Sequence, residues 1–231
     1  MNKRITKISR NFLKYPAGSV LIETGNTKVI CAVSIEENVP SFIKAAVQGW
    51  LTAEYSMMPG SSKPRSRREV SNGKVSGRTA EIQRLIGRSL RAVVDLRKIP
   101  GYTIKIDCDV MQADGGTRTA AITGACVALH DAFSYMIKEN MIQESPLNSL
   151  IAAISVGLVD DNYILDLDYE NDSIAQVDMN VVMTENGDII EVQGTAEGKP
   201  FSRSQFNEML DLAEAGIQEL ISAQKAALAI S

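Results

Sequence analysis

Residues 112–120, QADGGTRTA, form the stretch that decides the fold of this chain. Before them, residues 103–110 alternate Ile, Cys and Val with Lys and Asp, the period of two that is typical of a half-buried strand. After them, residues 119–137 place apolar side chains at helical spacing, which predicts a helix with one apolar face. Gly115 and Gly116 supply the backbone freedom of a tight turn. The sequence therefore predicts a strand, a glycine turn and a helix in succession.

Further strands and helices are predicted on both sides of this unit. Residues 20–34 predict a β-hairpin and residues 79–96 an amphipathic helix. Later strands are predicted at residues 150–159, 163–169, 179–184 and 189–192, and a last helix begins with the capping box of residues 202–205. Because strands and helices do not alternate regularly, we predict an α+β fold, with mixed sheets packed against helices, rather than a doubly wound sheet.

Length and composition bound the domain organisation and exclude several classes of protein. The chain has 231 residues, of which 45% are hydrophobic, so it can bury one sizeable core, and we expect residues 1–231 to form a single domain. Residues 1–10 lack the apolar segment of a signal peptide, and nowhere do the roughly 18 uncharged apolar residues of a membrane span run together. We therefore expect a cytoplasmic protein with no membrane partner.

Cysteine and histidine usage excludes several catalytic and metal sites. Cys31, Cys108 and Cys126 are odd in number and far apart, so they fit neither a disulfide framework nor a zinc site and are expected to be buried, reduced thiols. The only histidine, His130, lies within a predicted helix, which argues against a Ser-His-Asp triad and against an HExxH zinc site. Gly124, in the same helix, predicts close packing against a neighbouring element.

The chain is electrically divided. Residues 60–100 contain 11 Lys or Arg against 3 acids, whereas residues 139–198 contain 13 acids and no Lys or Arg. The first stretch suits phosphates and the second suits metal cations. Within the basic stretch, residues 63–68 read as an exposed loop, whose four basic side chains would either grip a nucleic-acid backbone or only keep the surface soluble.

The glycine turn has the features of an anion-binding site. Gly115 and Gly116 let the backbone approach a ligand, the following helix directs unpaired N–H groups at it, and Arg118 adds a guanidinium that can bind an anion with two N–H groups. Arg78 lies at the start of the preceding predicted helix and can approach the same anion from a second side. The alternative is a turn that uses glycine only for its backbone conformation. If the site is functional, inorganic phosphate fits it.

Five acids crowd residues 166–178, where no basic residue neutralises them. Solvated turn residues explain most of them. Asp178 differs because it leads directly into the apolar residues 179–183, so it is expected to face a cleft at a sheet edge. Without a His or Cys cluster, a metal would need oxygen ligands, which suits Mg²⁺ or Mn²⁺. Two such carboxylates would either bind that metal or act as a general acid.

Several motifs, in this order along the chain, resemble ribonuclease PH, a family of phosphorolytic 3′-to-5′ exoribonucleases. The likeness runs from about residue 10 to residue 224 and is strongest at residues 112–120. The other motifs are GWLTAEY at residues 49–55, GRT and EIQRLI within residues 77–86, DCDV at residues 107–110, DMNVVMT at residues 178–184 and EVQGTAEG at residues 191–198.

The resemblance implies a fold, an activity and a set of ligands. The fold would be of the ribosomal protein S5 domain 2-like type. The activity would be that of a tRNA nucleotidyltransferase, in which inorganic phosphate as co-substrate releases nucleoside 5′-diphosphates beyond the CCA end of tRNA precursors. Processing of rRNA 3′ ends is implied as well. Mg²⁺, or alternatively Mn²⁺, would assist, and the chain would form a homohexamer built as a trimer of dimers.

The resemblance also implies roles for eight residues. The phosphate ligands fall on Arg78, Gly116, Thr117 and Arg118, and the RNA-binding arginines fall on Arg65 and Arg68. The catalytic acids, which are also the metal ligands, fall on Asp172 and Asp178.

The sequence departs from the family pattern at Gly60, which replaces a frequent Arg, and at Asn171, which replaces a frequent acid. It also departs at residues 1–4, where an Arg- and Gly-containing segment usually precedes the first strand.

Two other functions remain open. A hydrolytic two-metal nuclease would use the acids but would not need a phosphate clamp. A non-catalytic RNA-binding ring subunit would be expected to lack the phosphate ligands or Asp178.

Overall fold

The computed structural model describes residues 3–230, without the side chains of residues 70 and 72. A five-stranded sheet has the order β1-β2-β3-β5-β4 and comprises β1 (Thr6–Arg10), β2 (Gly18–Thr24), β3 (Thr27–Glu36), β4 (Trp50–Met57) and β5 (Thr103–Gln112). Only β4 and β5 pair in parallel, and the first long helix, α1 (Gly77–Arg91), connects them. The predicted hairpin of residues 20–34 corresponds to β2 and β3, and the predicted strand of residues 103–110 lies within β5.

The second sheet has four antiparallel strands in the order β7-β6-β8-β9. Its strands are β6 (Ile151–Val159), β7 (Asn162–Leu165), β8 (Val177–Thr184) and β9 (Ile189–Ala196). Three further helices are α2 (Thr117–Lys138), the six-residue α3 (Tyr169–Ile174) and α4 (Arg203–Leu228). Mixed sheets and helices of this kind confirm the predicted α+β class.

Helix α2 lies between the two sheets. It packs against β2 and β3 on one side and against β6 on the other. The prediction of one apolar face was therefore too narrow, because alanines around the helix are also buried. A Cβ atom on Gly124 would lie 2.8 Å from Cγ2 of Ile22 and 3.0 Å from Sγ of Cys31, which confirms the close packing predicted there. By length and composition α2 could cross a membrane, but it is largely enclosed by the protein, as a core helix is.

Of the other local predictions, two are confirmed and one was wrong in part. The capping box at the start of α4 is confirmed, with Ser202 and Gln205 each bonding the other's backbone N–H. The three cysteines are buried and free, as expected. The predicted strand over residues 163–169 was wrong at its end, because β7 stops at Leu165 and the carboxylate of Asp168 accepts from the N–H of Asn171 to cap α3. Strands β1 and β4 were not predicted.

Candidate active site

Six of the eight predicted site residues line one pocket of about 440 Å³ at the N-terminus of α2. They come from four elements and from both halves of the chain: Arg78 from α1, Gly116, Thr117 and Arg118 from the start of α2, Asp172 from α3, and Asp178 from β8. Cationic groups and a helix start thus share a cavity with two carboxylates, although the two sets are separated by 54 positions, from Arg118 to Asp172, in the sequence.

The turn before α2 depends on its glycines. Gly115 and Gly116 have φ angles of +72° and +63°, in the left-handed region that favours glycine. A Cβ atom on Gly115 would lie 2.4 Å from the carbonyl oxygen of Leu167, so no larger residue fits there without displacing backbone. Gly116 is the N-cap and has no side chain to accept from the N–H groups of the first turn. These N–H groups and the positive end of α2 favour an anion in the pocket.

Hydrogen bonds from two other elements fix this helix start. The hydroxyl of Thr27, which opens β3, donates to the carbonyl oxygen of Gly115 at 2.6 Å and accepts from the N–H of Asp114 at 2.9 Å. The buried hydroxyls of Tyr55 and Thr117 are 2.8 Å apart. The Tyr55 contact explains why the motif at residues 49–55 belongs with the site, a connection that the sequence pattern did not reveal.

Arg118 is held at the side of the pocket. Its Nη1 lies 3.4 Å from Oε2 of Glu81 on α1, and Gln193 on β9 donates to the other oxygen of Glu81 at 3.1 Å. The Arg118 side chain is about four-fifths buried, with 22% exposed, so its charge is only partly screened by water. Arg78, by contrast, is exposed at the mouth of the pocket.

The two aspartates have raised pKa values. Burial raises the pKa of Asp178 to about 6, the negative charge of Asp172 adds to this rise, and Arg118 opposes it. Loss of water contact also raises the pKa of Asp172, against the opposing charges of Arg118 and Arg78, although the residue as a whole is exposed. The amide of Asn180 lies 3.4 Å from the Asp178 carboxylate. The pocket therefore holds two carboxyl groups, and the charge of Asp172 makes ionisation of Asp178 less favourable.

The chemistry of this carboxyl pair suits a divalent cation. Within residues 3–230, no set of three or more His, Cys, Asp or Glu side chains is arranged to hold a metal. Mg²⁺, however, usually takes one or two protein carboxylates and completes its shell with water and substrate phosphate oxygens. Asp172 and Asp178, the first of which raises the pKa of the second, supply such a pair. The donor set thus suits Mg²⁺ or Mn²⁺ together with a phosphate-bearing substrate.

The predicted RNA-binding arginines lie outside this pocket. Arg68 lines a groove of about 510 Å³ that shares Met57 and Arg78 with the pocket. Arg65 is exposed and does not line that groove, whereas Arg67 does. The structure therefore brings Arg68, but not Arg65, next to the six pocket residues, and it adds Arg67.

Other residues at the site were missed. Arg4 and Asp166 form an ion pair beside the glycine turn, with Nη2 and Oδ1 2.6 Å apart. Asp166 is buried, so the prediction of a solvated turn acid was wrong for it. Tyr169, at the start of α3, lines the pocket with 61% of its surface exposed. Arg4 and Asp166 are separated by 162 positions, and no local pattern links them.

Comparisons with known proteins cover both halves of the chain. Residues 3–134 match the sequence profile of the 3′ exoribonuclease family, domain 1, and residues 149–216 match that of domain 2 of the same family.

Solved structures with the same fold include rice (Oryza sativa) Rrp46, with a TM-score of 0.80 and 19% identity over 99% of this chain and 96% of that one. An Archaeoglobus fulgidus exosome with RNA bound to the active site matches with a TM-score of 0.81 and 19% identity, over 96% of this chain and 88% of that chain. An archaeal exosome core matches with a TM-score of 0.75 and 20% identity, over 97% and 87%. At these identities the likeness concerns the fold.

Proposed function

Because this chain belongs to the ribonuclease PH family of 3′ exoribonucleases, we propose that it is a phosphate-dependent 3′-to-5′ exoribonuclease of the cytoplasm. Its substrates are tRNA precursors, from which it removes nucleotides beyond the CCA end, and rRNA precursors whose 3′ ends it trims. The observation that carries the proposal is the single pocket in which Arg78, Arg118 and the start of α2 face Asp172 and Asp178. A hydrolase would need only the acids, whereas a phosphorolytic enzyme also needs a binding site for inorganic phosphate.

Inorganic phosphate is the nucleophile in this mechanism. It binds between Arg78 and the backbone N–H groups of Gly116, Thr117 and Arg118, where the helix dipole and two guanidiniums offset its charge. One of its oxygens attacks the phosphorus of the last phosphodiester, and the bond from that phosphorus to the 3′ oxygen of the preceding nucleotide breaks. The product is a nucleoside 5′-diphosphate, and the catalytic gain comes from positioning and charge stabilisation.

The leaving 3′ oxygen needs a proton or a cation. Asp178, with its pKa of about 6, retains a proton more readily than an ordinary aspartate and is placed in the pocket to donate it. Mg²⁺ held by Asp172 and Asp178 would instead neutralise charge on the phosphate oxygens. The Asp178→Asn variant separates these roles: activity restored by raised Mg²⁺ would count against a role as acid only.

The RNA chain would approach along the basic groove. The groove adjoins the pocket through Arg78 and carries the exposed cations Arg67, Arg68 and Lys74. Flexible cations of this kind bind the phosphate backbone without reading sequence. We include Arg65 in the proposal because it lies in the same loop, although it does not line the groove.

The experiment that tests this function uses a tRNA carrying extra 3′ nucleotides. The protein is incubated with it and Mg²⁺, with and without inorganic phosphate, and both the RNA ends and the released nucleotides are identified. We expect trimming that requires phosphate, yields nucleoside diphosphates and stops near the CCA end. Nucleoside monophosphates formed without phosphate would indicate a hydrolase, and an unchanged RNA would indicate a non-catalytic ring subunit.

A further inference from the structure

Arg4 occupies a position that joins two separate segments of the site. Its guanidinium donates to both oxygens of Asp166, from Nη2 at 2.6 Å and from Nε at 3.0 Å, and its backbone N–H adds a third bond to Asp166 at 3.1 Å. The same guanidinium donates from Nη1 to the carbonyl oxygen of Asp114 and from Nη2 to that of Leu167, the latter at 3.2 Å. The Arg4 and Asp166 side chains are 16% and 4% exposed.

These bonds hold the glycine turn against the segment that leads to α3. Asp114 directly precedes Gly115 and Gly116, while Leu167 directly precedes Asp168, the N-cap of α3. The two segments are already so close that a Cβ on Gly115 would meet Leu167. On the other side, the N–H of Asp166 donates to the carbonyl oxygen of Ser155 on β6 at 2.7 Å. Arg4 thus connects the phosphate-facing turn of one half of the chain to the acid-bearing helix of the other.

We infer that Arg4 and Asp166 are positioning residues that fix the phosphate-facing turn relative to the acid-bearing helix α3, a role that rests on the proposed function. Neither residue belongs to the proposed phosphate or RNA ligands. A guanidinium can bond a carboxylate with two parallel N–H groups and still reach two carbonyl oxygens, whereas an ammonium is a point donor. The geometry therefore requires Arg specifically, and Lys should only partly replace it.

Breaking the Arg4–Asp166 pair is expected to change the affinity for phosphate rather than the affinity for RNA. If the pair is broken, the turn can move away from α3, and the N–H groups at the start of α2 no longer converge on one point. Loss of a positioning contact of this kind typically weakens ligand affinity by about 10-fold or more. The affinity for RNA, which would depend on the groove cations, should not change.

The test compares full-length variants by their affinity for inorganic phosphate, measured by calorimetry, and by the KM for phosphate and kcat in RNA degradation. For Arg4→Gln we expect phosphate affinity to fall and KM to rise about 10-fold, with a smaller change in kcat at saturating phosphate. Arg4→Lys should lie between Arg4→Gln and the unmodified chain. If Arg4→Gln fails to fold, Arg4→Lys and Asp166→Asn provide the same comparison.

The matched control is Arg10→Gln. Arg10 makes a similar ion pair, with Nη2 and Oδ1 of Asp131 2.5 Å apart and the Asp131 side chain 6% exposed. Asp131 lies about 20 Å along α2 from the pocket. We expect Arg10→Gln to lower the melting temperature without changing the phosphate KM.

Three results would overturn the inference: unchanged phosphate affinity in a folded Arg4→Gln variant, an equal effect of Arg10→Gln, or an unmodified chain that binds no phosphate. A chain whose phosphate affinity depends on Arg4 but which releases no nucleoside diphosphates would overturn only the proposed function.

Discussion

At the scale of single residues, the buried carboxylate of Asp178 lowers the stability of the folded chain. Its pKa of about 6 in the folded chain exceeds the roughly 3.9 of an unfolded aspartate. Between these pH values the folded chain binds the proton more tightly, so ionisation of Asp178 lowers the free energy of unfolding as pH rises from about 4 to about 6. The energetic penalty that remains at neutral pH is the cost of keeping this carboxylate in the pocket.

The Asp178→Asn variant should therefore be more stable than the unmodified chain at neutral pH. We expect an increase of up to about 3 kcal/mol in the free energy of unfolding at pH 7.5, without Mg²⁺ or phosphate, because the amide carries no charge to bury. The difference should vanish near pH 4. Urea unfolding at both pH values measures it, with Asp160→Asn, an exposed acid outside the pocket, as the control. A less stable Asp178→Asn variant at pH 7.5 would contradict the assigned cause of the shift.

At the scale of elements, the turn into α2 combines two demands on glycine. Gly115 has a positive φ and no room for a Cβ, whereas Gly73 has a similar φ of +74° but none of the described atoms within 4 Å of a Cβ. Gly73→Ala should lower the free energy of unfolding by about 1 kcal/mol, because only the left-handed backbone conformation is unfavourable for alanine there. Gly115→Ala should cost clearly more and should weaken phosphate binding, because the added atom pushes the turn away from Leu167. Equal losses of stability in the two variants would mean that the close approach is unimportant.

The loop that carries the basic groove gives a separate prediction. Arg68→Ala should weaken RNA binding and reduce the slope of log affinity against log salt by about one, because one phosphate contact is lost. Arg97→Ala is the control, since Arg97 is exposed, pairs with Asp95 and lines a different pocket. Fluorescence anisotropy with a labelled single-stranded RNA, at several salt concentrations, provides the measurement. The same slope for Arg68→Ala and the unmodified chain would place the RNA elsewhere.

At the scale of the whole molecule, the local parts of the site were predictable and the connections between them were not. The glycine turn and Asp178 were found from sequence because the turn follows a strand with a clear pattern and Asp178 lies at the start of another. Helix α3 was not predicted and its acids were interpreted as turn residues, because six residues are too few to establish a helical period. The Arg4–Asp166 and Tyr55–Thr117 contacts join positions 162 and 62 residues apart, which no periodicity reports.

The oligomeric state is also a property of the whole molecule. The family resemblance predicts a homohexamer arranged as a trimer of dimers, and the described surface exposes large apolar side chains, such as Phe42 at 70% and Val47 at 58%, that a subunit contact would cover. Sedimentation equilibrium should give a mass about six times the 25.1 kDa of one chain. A stable monomer at micromolar concentration would contradict the ring.

The most direct test of the central claim follows the phosphorus atom itself. The protein is incubated with unlabelled RNA, Mg²⁺ and ³²P-labelled inorganic phosphate, and the released nucleotides are separated. Phosphorolysis predicts that the label appears in the β-phosphate of nucleoside diphosphates, and that Arg118→Ala greatly reduces its incorporation. Released nucleotides without label would contradict phosphorolysis.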